Sequence, residues 1–235
     1  MDRSLLAVVS DLQDLVTLGT GRIASFDVLT LLHPDASRER VTGENIRVPF
    51  ELLAQWTVSD SDEPTRSHHE MFFTLEDLGG LDGVARWLDV AATHRTSLDR
   101  LMATRYAHRS YLADKYLNRL VSLEAFDREA GHSGTYLQRL RRCVEYAGVP
   151  ISDLVPDTNA WTKRLKDDRN DLAHHLAELA RQVSSDQLFL SESAFWLYVI
   201  CLLRRAAAPE AVFGRISRTQ QFQFLKRRLA KVFEK

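Results

Sequence analysis

An Arg, an Asn beside it and a His five residues after the Arg fall within Arg169-Asn170-Asp171-Leu172-Ala173-His174-His175. These side chains suit phosphodiester chemistry on RNA. A ribose 2′-hydroxyl is an internal nucleophile: a base that takes its proton lets the oxygen attack the adjacent phosphorus, leaving a 2′,3′-cyclic phosphate. An imidazole, with an ordinary pKa of about 6.5, can give or take that proton near neutrality, which makes His174 the candidate acid–base group. Arg169 never deprotonates and would stabilise charge building on the phosphoryl oxygens. Asn170, four residues before His174, would orient the imidazole or donate to phosphate. His175 satisfies the same spacing and is a supporting candidate.

Helical periodicity must position these groups. Asp157 or Thr158 can cap a helix that continues to about Val183. At about 100° per residue with Leu165 at zero, Leu172, Leu176, Leu179 and Val183 fall within about 40° and form the core stripe. Lys163, Lys166, Asn170, His174 and Arg181 fall between about 100° and 180°. Lys163, Lys166 and Arg181 on that face are candidate RNA-binding residues. Arg169 lies near about 40°, on the core side, where an unpaired charge is costly. An upstream helix offers a partner: Leu117, Leu120, Val121 and Glu124 share one face, so Glu124 projects from an apolar stripe. Glu124 is expected to pair with Arg169 and orient it at the edge of the core.

The 235-residue chain, 45% hydrophobic and 27% charged, has the composition of a folded globular protein of one medium or two small domains. No apolar run approaches the roughly 20 residues of a membrane span, and Ala194–Leu203 reads as a buried helix. The first residues lack a cleaved-signal pattern, and Cys143 and Cys201 are expected to be reduced core thiols. These features point to the cytoplasm. The net charge of −1 conceals an asymmetry. Residues 1–100 hold 9 Lys and Arg against 17 Asp and Glu, whereas residues 101–235 hold 22 against 15. A basic half suits a polyanion, although the two halves can also simply attract each other.

The first half reads as α+β. A helix over 4–18 stops at Gly19-Thr20-Gly21; strands are expected over 26–32, 46–50, 54–58 and 70–75, with Pro49 marking a sheet edge or bulge, and a helix over 80–90. The second half reads as helices over 98–129, 136–146, 158–183, 185–205 and 219–233, joined by short turns that imply antiparallel neighbours. His68-His69-Glu70 is a poor metal site, because neighbours on a strand point to opposite faces, and His174 has only Glu178 at helical spacing. No metal and no cofactor is expected. Trp161, Phe195, Trp196 and Tyr198 read as core, and Lys226-Arg227-Arg228 with Lys231 as a solvated face.

Arg169-Asn170 followed by His174, with Glu124 on an upstream helix, resembles the HEPN superfamily. Tyr116-Leu117-Asn118-Arg119-Leu120-Val121-Ser122-Leu123-Glu124-Ala125-Phe126-Asp127-Arg128 looks like the first HEPN helix of the ApeA-like branch. The resemblance covers about residues 105–235. Leu12-Gln13-Asp14-Leu15-Val16-Thr17-Leu18 and Arg86-Trp87-Leu88 are similar to the latter part of the ApeA N-terminal domain, whose earlier part has no counterpart, as in a short form or a fragment. The resemblance implies a mainly α fold: a small α+β segment over 1–97, then an antiparallel HEPN helical bundle over 98–235. It implies a metal-independent endoribonuclease of bacterial anti-phage defence, with the acidic first half as sensor or regulator. HEPN relatives pair two domains so that two motifs meet, so a homodimer with a composite cleft is expected. Arg169 and His174 stand about 140° apart on an ideal helix, which favours a shared cleft. The alternatives are a catalytically inactive HEPN module binding RNA or a protein partner, and a HEPN toxin neutralised by an antitoxin.

Overall fold

The computed structural model describes residues 4–26, 28–51, 67–107, 109–179 and 185–234, with the side chains of Pro34 and of residues 175–179 left aside. The chain divides into a small unit, Arg22–Thr65, and a large unit formed by Met1–Gly21 and Arg66–Lys235. Contacts therefore separate the chain elsewhere than at the expected 97/98 boundary, through which a helix runs. The described residues form ten α-helices and two strands, so the mainly α expectation holds.

The small unit contains an antiparallel hairpin of β1, Thr30–Glu39, and β2, Asn45–Glu51. Thr30–Leu32 pair with Glu51–Pro49, and Ser37–Glu39 with Arg47–Asn45. The irregularity between Leu32 and Ser37 lets the strand pass His33-Pro34-Asp35, where the sequence suggested that it would stop. A bulge removes the need for a ladder N–H at proline. Pro49 sits opposite Leu32, at the edge of that bulge. The expected strand over 54–58 lies outside the described residues.

In the large unit, α1 (Leu5–Thr20) begins where Ser4 Oγ accepts from Ala7 N–H. It ends at Gly21, whose φ of 69° is left-handed and whose N–H reaches Thr17 O. The expected strand over 70–75 is absent. Ser67 and Glu70 instead form a capping box around a short 3₁₀ turn, His68–Glu70. The apolar pair beyond it, Phe72 and Phe73, is buried, with Phe72 N–H on Gly19 O and its ring edge-on to Trp196. Helix α2 spans Gly80–Thr93, and its Trp87 indole donates to Asp11 O on α1 at 2.8 Å.

The single helix expected over 98–129 is two helices, α3 (Arg95–Tyr106) and α4 (Leu112–Glu129). The chain reverses between them, bringing Arg119 Nε to Thr104 Oγ1 at 3.2 Å. Packing α3 on α4 buries Leu98, Leu101 and Met102 alongside Leu120 and Leu123, which a continuous rod would leave in water. Helices α5 (Tyr136–Ala147), α6 (Val149–Leu154), α7 (Thr158–Leu179), α8 (Ser185–Arg205), α9 (Glu210–Arg218) and α10 (Gln220–Phe233) complete the unit. Of these, α6 and α9 were not anticipated.

Helix α8 is the axis of the core. Residues Ser193 to Leu203 are buried without interruption, and α2, α4, α5, α6 and α10 pack around it. By length and composition α8 could cross a membrane, but 72% of its apolar window lies inside the bundle. A helix apolar on all faces is what such a central position requires. Trp161, Phe195, Trp196 and Tyr198 are all buried. Cys143 and Cys201 are free, and Cys201 Sγ donates to Cys143 O at 3.2 Å, so residues distant in sequence meet in the core.

Candidate functional site

Helix α7 fixes itself to the bundle through Trp161, Leu165, Asp168 and Leu172, all buried and spaced as one stripe. The Trp161 indole donates to Ser193 Oγ on α8 at 3.0 Å. The carboxylate of Asp168 joins this stripe, accepting from Tyr116 Oη on α4 at 3.0 Å and from Arg164 Nε at 2.8 Å. Burial raises the Asp168 pKa above the ordinary carboxylate value, against the lowering effects of Arg164 and Tyr116. Asp168 thus pins α7 to α4 next to Arg169.

Arg169 lies at the margin of that interface, its side chain 29% exposed. Its Nη2 donates to Glu124 Oε2 on α4 at 3.1 Å, which is the pairing expected from the two stripes. The guanidinium also lies over the Tyr136 ring of α5, 5.4 Å from its centroid. Tyr136 in turn donates to Leu120 O. Glu124 holds a second cation, Arg128 Nη2 at 2.9 Å, one turn along α4. One carboxylate, one ring and a neighbouring guanidinium therefore set the position of Arg169. Its Nε is buried and has no hydrogen-bond partner among the described residues.

The rest of the motif faces outward. Asn170 is half-buried and His174 exposed, and neither has a hydrogen bond or ion pair among the described residues. Lys163 is exposed, and Lys166 is half-buried with its ammonium 2.6 Å from Asp167 Oδ1. The outer face is consequently less basic than a stripe of cations and amides: Asp167, at about 200° on the wheel, stands beside Lys163 and His174. Arg181 lies outside the described residues, as does the side chain of His175. His68 and His69 occupy the 3₁₀ turn rather than a strand, with ring centroids 3.6 Å apart.

Sequence reasoning paired Arg169 with Glu124 but passed over three residues that complete the setting. Arg128, Tyr136 and Asp168 each carried a signal: an i,i+4 relation to Glu124, the first turn of the next helix, and the core phase of α7. No family model, curated protein or solved structure matches this chain.

Proposed function

We propose that the protein is a HEPN-type, metal-independent endoribonuclease, acting on RNA through attack of the 2′-hydroxyl, in the setting of bacterial anti-phage defence. The observation that carries this reading is the Arg169–Glu124 pair, 3.1 Å across the α4–α7 interface. It supports a guanidinium held at the root of the helix face that carries Asn170 and His174. In this reading Arg169 binds the phosphoryl oxygens, His174 transfers the proton, Asn170 orients one or the other, and Lys163 and Lys166 hold the flanking backbone. The missing second acid–base group comes from a second copy of the chain, in keeping with the roughly 140° between Arg169 and His174 on one helix.

The experiment is cleavage of total RNA in the presence of EDTA. Wild type is expected to generate 2′,3′-cyclic phosphate ends, and His174→Ala to lose at least a hundredfold in rate, the scale of an acid–base contribution. Equal background cleavage by both proteins would reject the nuclease and favour a catalytically inactive module that binds RNA or protein. Light scattering at micromolar concentration checks the composite cleft separately, with a dimer expected.

A further inference from the structure

A cavity of about 570 Å³ opens between α4, α5 and the C-terminal end of α8. Its volume falls within the range of small-molecule sites, and none of its lining residues belongs to α7. The cavity is organised by Asp127, whose side chain is only 2% exposed. That carboxylate accepts from Arg142 through Nε at 2.9 Å and Nη2 at 2.7 Å, and from Arg139 Nη1 at 3.1 Å. His132 Nδ1 lies 3.2 Å from Oδ1, the oxygen that also accepts from Arg142 Nε. Burial alone would raise the Asp127 pKa, but Arg142, His132 and Arg139 outweigh it and hold the value below the ordinary one, so the carboxylate stays charged.

The turn after α4 makes this convergence possible. Gly131 and Gly134 have φ of 87° and 124°, which side-chain-bearing residues rarely adopt. The turn aims the carbonyls of His132 and Gly134 at Arg139, and that of Ser133 at Arg142. The guanidiniums are therefore fixed before any ligand arrives, which lowers the entropy cost of binding.

Several donors are left unspent. Arg142 uses Nε and Nη2, while its Nη1 has no acceptor among the described residues. His132 is spent on Asp127 through Nδ1 and leaves no further donor in its neutral form. Arg205 lines the cavity, is exposed, and has no hydrogen bond or ion pair among the described residues. One further carboxylate, Glu145, lies in the lining, and the apolar part comprises Ala130, Cys143 and the rings of Phe126 and Tyr146. Phe126 is braced by the His94 ring at 4.4 Å and by Tyr198 at 5.5 Å, and Tyr146 is 42% exposed. Two guanidiniums with free N–H groups match a dianionic phosphate, and an aromatic wall matches a planar ring.

We propose that this cavity binds an aromatic phosphate monoester, of which a nucleoside monophosphate is the simplest case. Arg142 Nη1 and Arg205 take the phosphate, and the ring lies against Tyr146 and Phe126. The site is separate from the α7 face and does not depend on the nuclease reading.

Isothermal titration calorimetry on the full chain at low ionic strength tests the assignment, with AMP, CMP, inorganic phosphate and adenosine as probes. At least one nucleotide is expected to bind one per chain, ten times more tightly than either phosphate or adenosine. Arg205→Gln removes an exposed, unpaired cation, so its Tm should match wild type while nucleotide affinity falls at least tenfold. Tyr146→Ala should weaken nucleotide binding and leave phosphate binding unchanged. Absence of nucleotide binding at millimolar concentration, phosphate binding as tightly as both nucleotides, or unchanged affinity in Arg205→Gln would each overturn the proposal.

Discussion

His174 on α7 and His132 in the turn after α4 are both exposed imidazoles close to arginines and carboxylates, but they are held differently. His132 faces a buried carboxylate that also fixes two guanidiniums. His174 has no partner among the described residues, while the neighbouring Arg169 is fixed by Glu124 and Tyr136. One region is fully assembled within a single chain. The other assembles its cation and leaves its imidazole to be placed by something that arrives, which in the proposed function is RNA or a second subunit. A recognisable sequence spacing and a pre-organised constellation are thus distinct properties, and here they occur on different helices.

The sharpest way to break this contrast is to delete the two carboxylates. Asp127→Ala leaves Arg139 and Arg142 without their buried counter-ion, and is expected to cost about 3–5 kcal/mol in denaturant unfolding. Glu124→Gln should cost less, about 1–2 kcal/mol, because Glu124 is 18% exposed and one of its cations, Arg128, is 65% exposed. Equal losses from the two variants would mean that the α4–α5 cluster is no better organised than the α7 pair.

Between those effects lies a test of how burial acts on a carboxylate without such a cage. Burial pushes Asp14 up to about 7 from 3.8, despite a 2.5 Å hydrogen bond from Tyr106 Oη. Its folded pKa exceeds the unfolded one, so its contribution is fully present below about pH 4 and is lost as pH rises to about 7. Asp127 has the opposite sign: its contribution is present above pH 3.8 and is lost as pH falls through its lowered folded value. Asp14→Asn, which retains an acceptor for Tyr106, should gain on the order of 2–4 kcal/mol over wild type at pH 8 and almost nothing at pH 4. An equal gain at both pH values would assign the effect to packing rather than protonation.

The smallest expected effect on stability is that of His174→Ala. An exposed, unpaired side chain should change unfolding by less than about 0.5 kcal/mol. A larger loss would show that the imidazole is held after all, and would remove the contrast with His132.

The helices of this protein were legible wherever a cap or a stripe marked them. Ser4, the Gly21 stop and the Thr219 cap of α10 lie where residue type requires them. Local patterns misled where the decisive contact was distant. Phe72 and Phe73 read as strand residues, yet they are apolar plugs behind a capped turn. The stretch 98–129 read as one helix because both pieces keep helical periodicity, and periodicity does not report a reversal. The candidate site was half legible. The core phase of Arg169 and the lone carboxylate on the Glu124 stripe indicated their pairing, because an unpaired buried charge is too costly to keep. The neutralisation of Lys166 by Asp167 was not anticipated, since the angular stripe omitted the next position round the wheel.

The sequence by itself determined which face of each helix is apolar, that α7 carries its Arg toward the core and its His toward water, and that Glu124 needs a cation. Only the tertiary structure decided that Asp127, His132 and Arg142 meet around one cavity, with Arg139 also held by Asp127, and that Arg205 joins the lining from α8. The reason is physical: side-chain phase along a helix follows from 3.6 residues per turn. Convergence of residues from three helices depends on a glycine turn, on helix crossing and on desolvation of the shared carboxylate, none of which a local pattern contains.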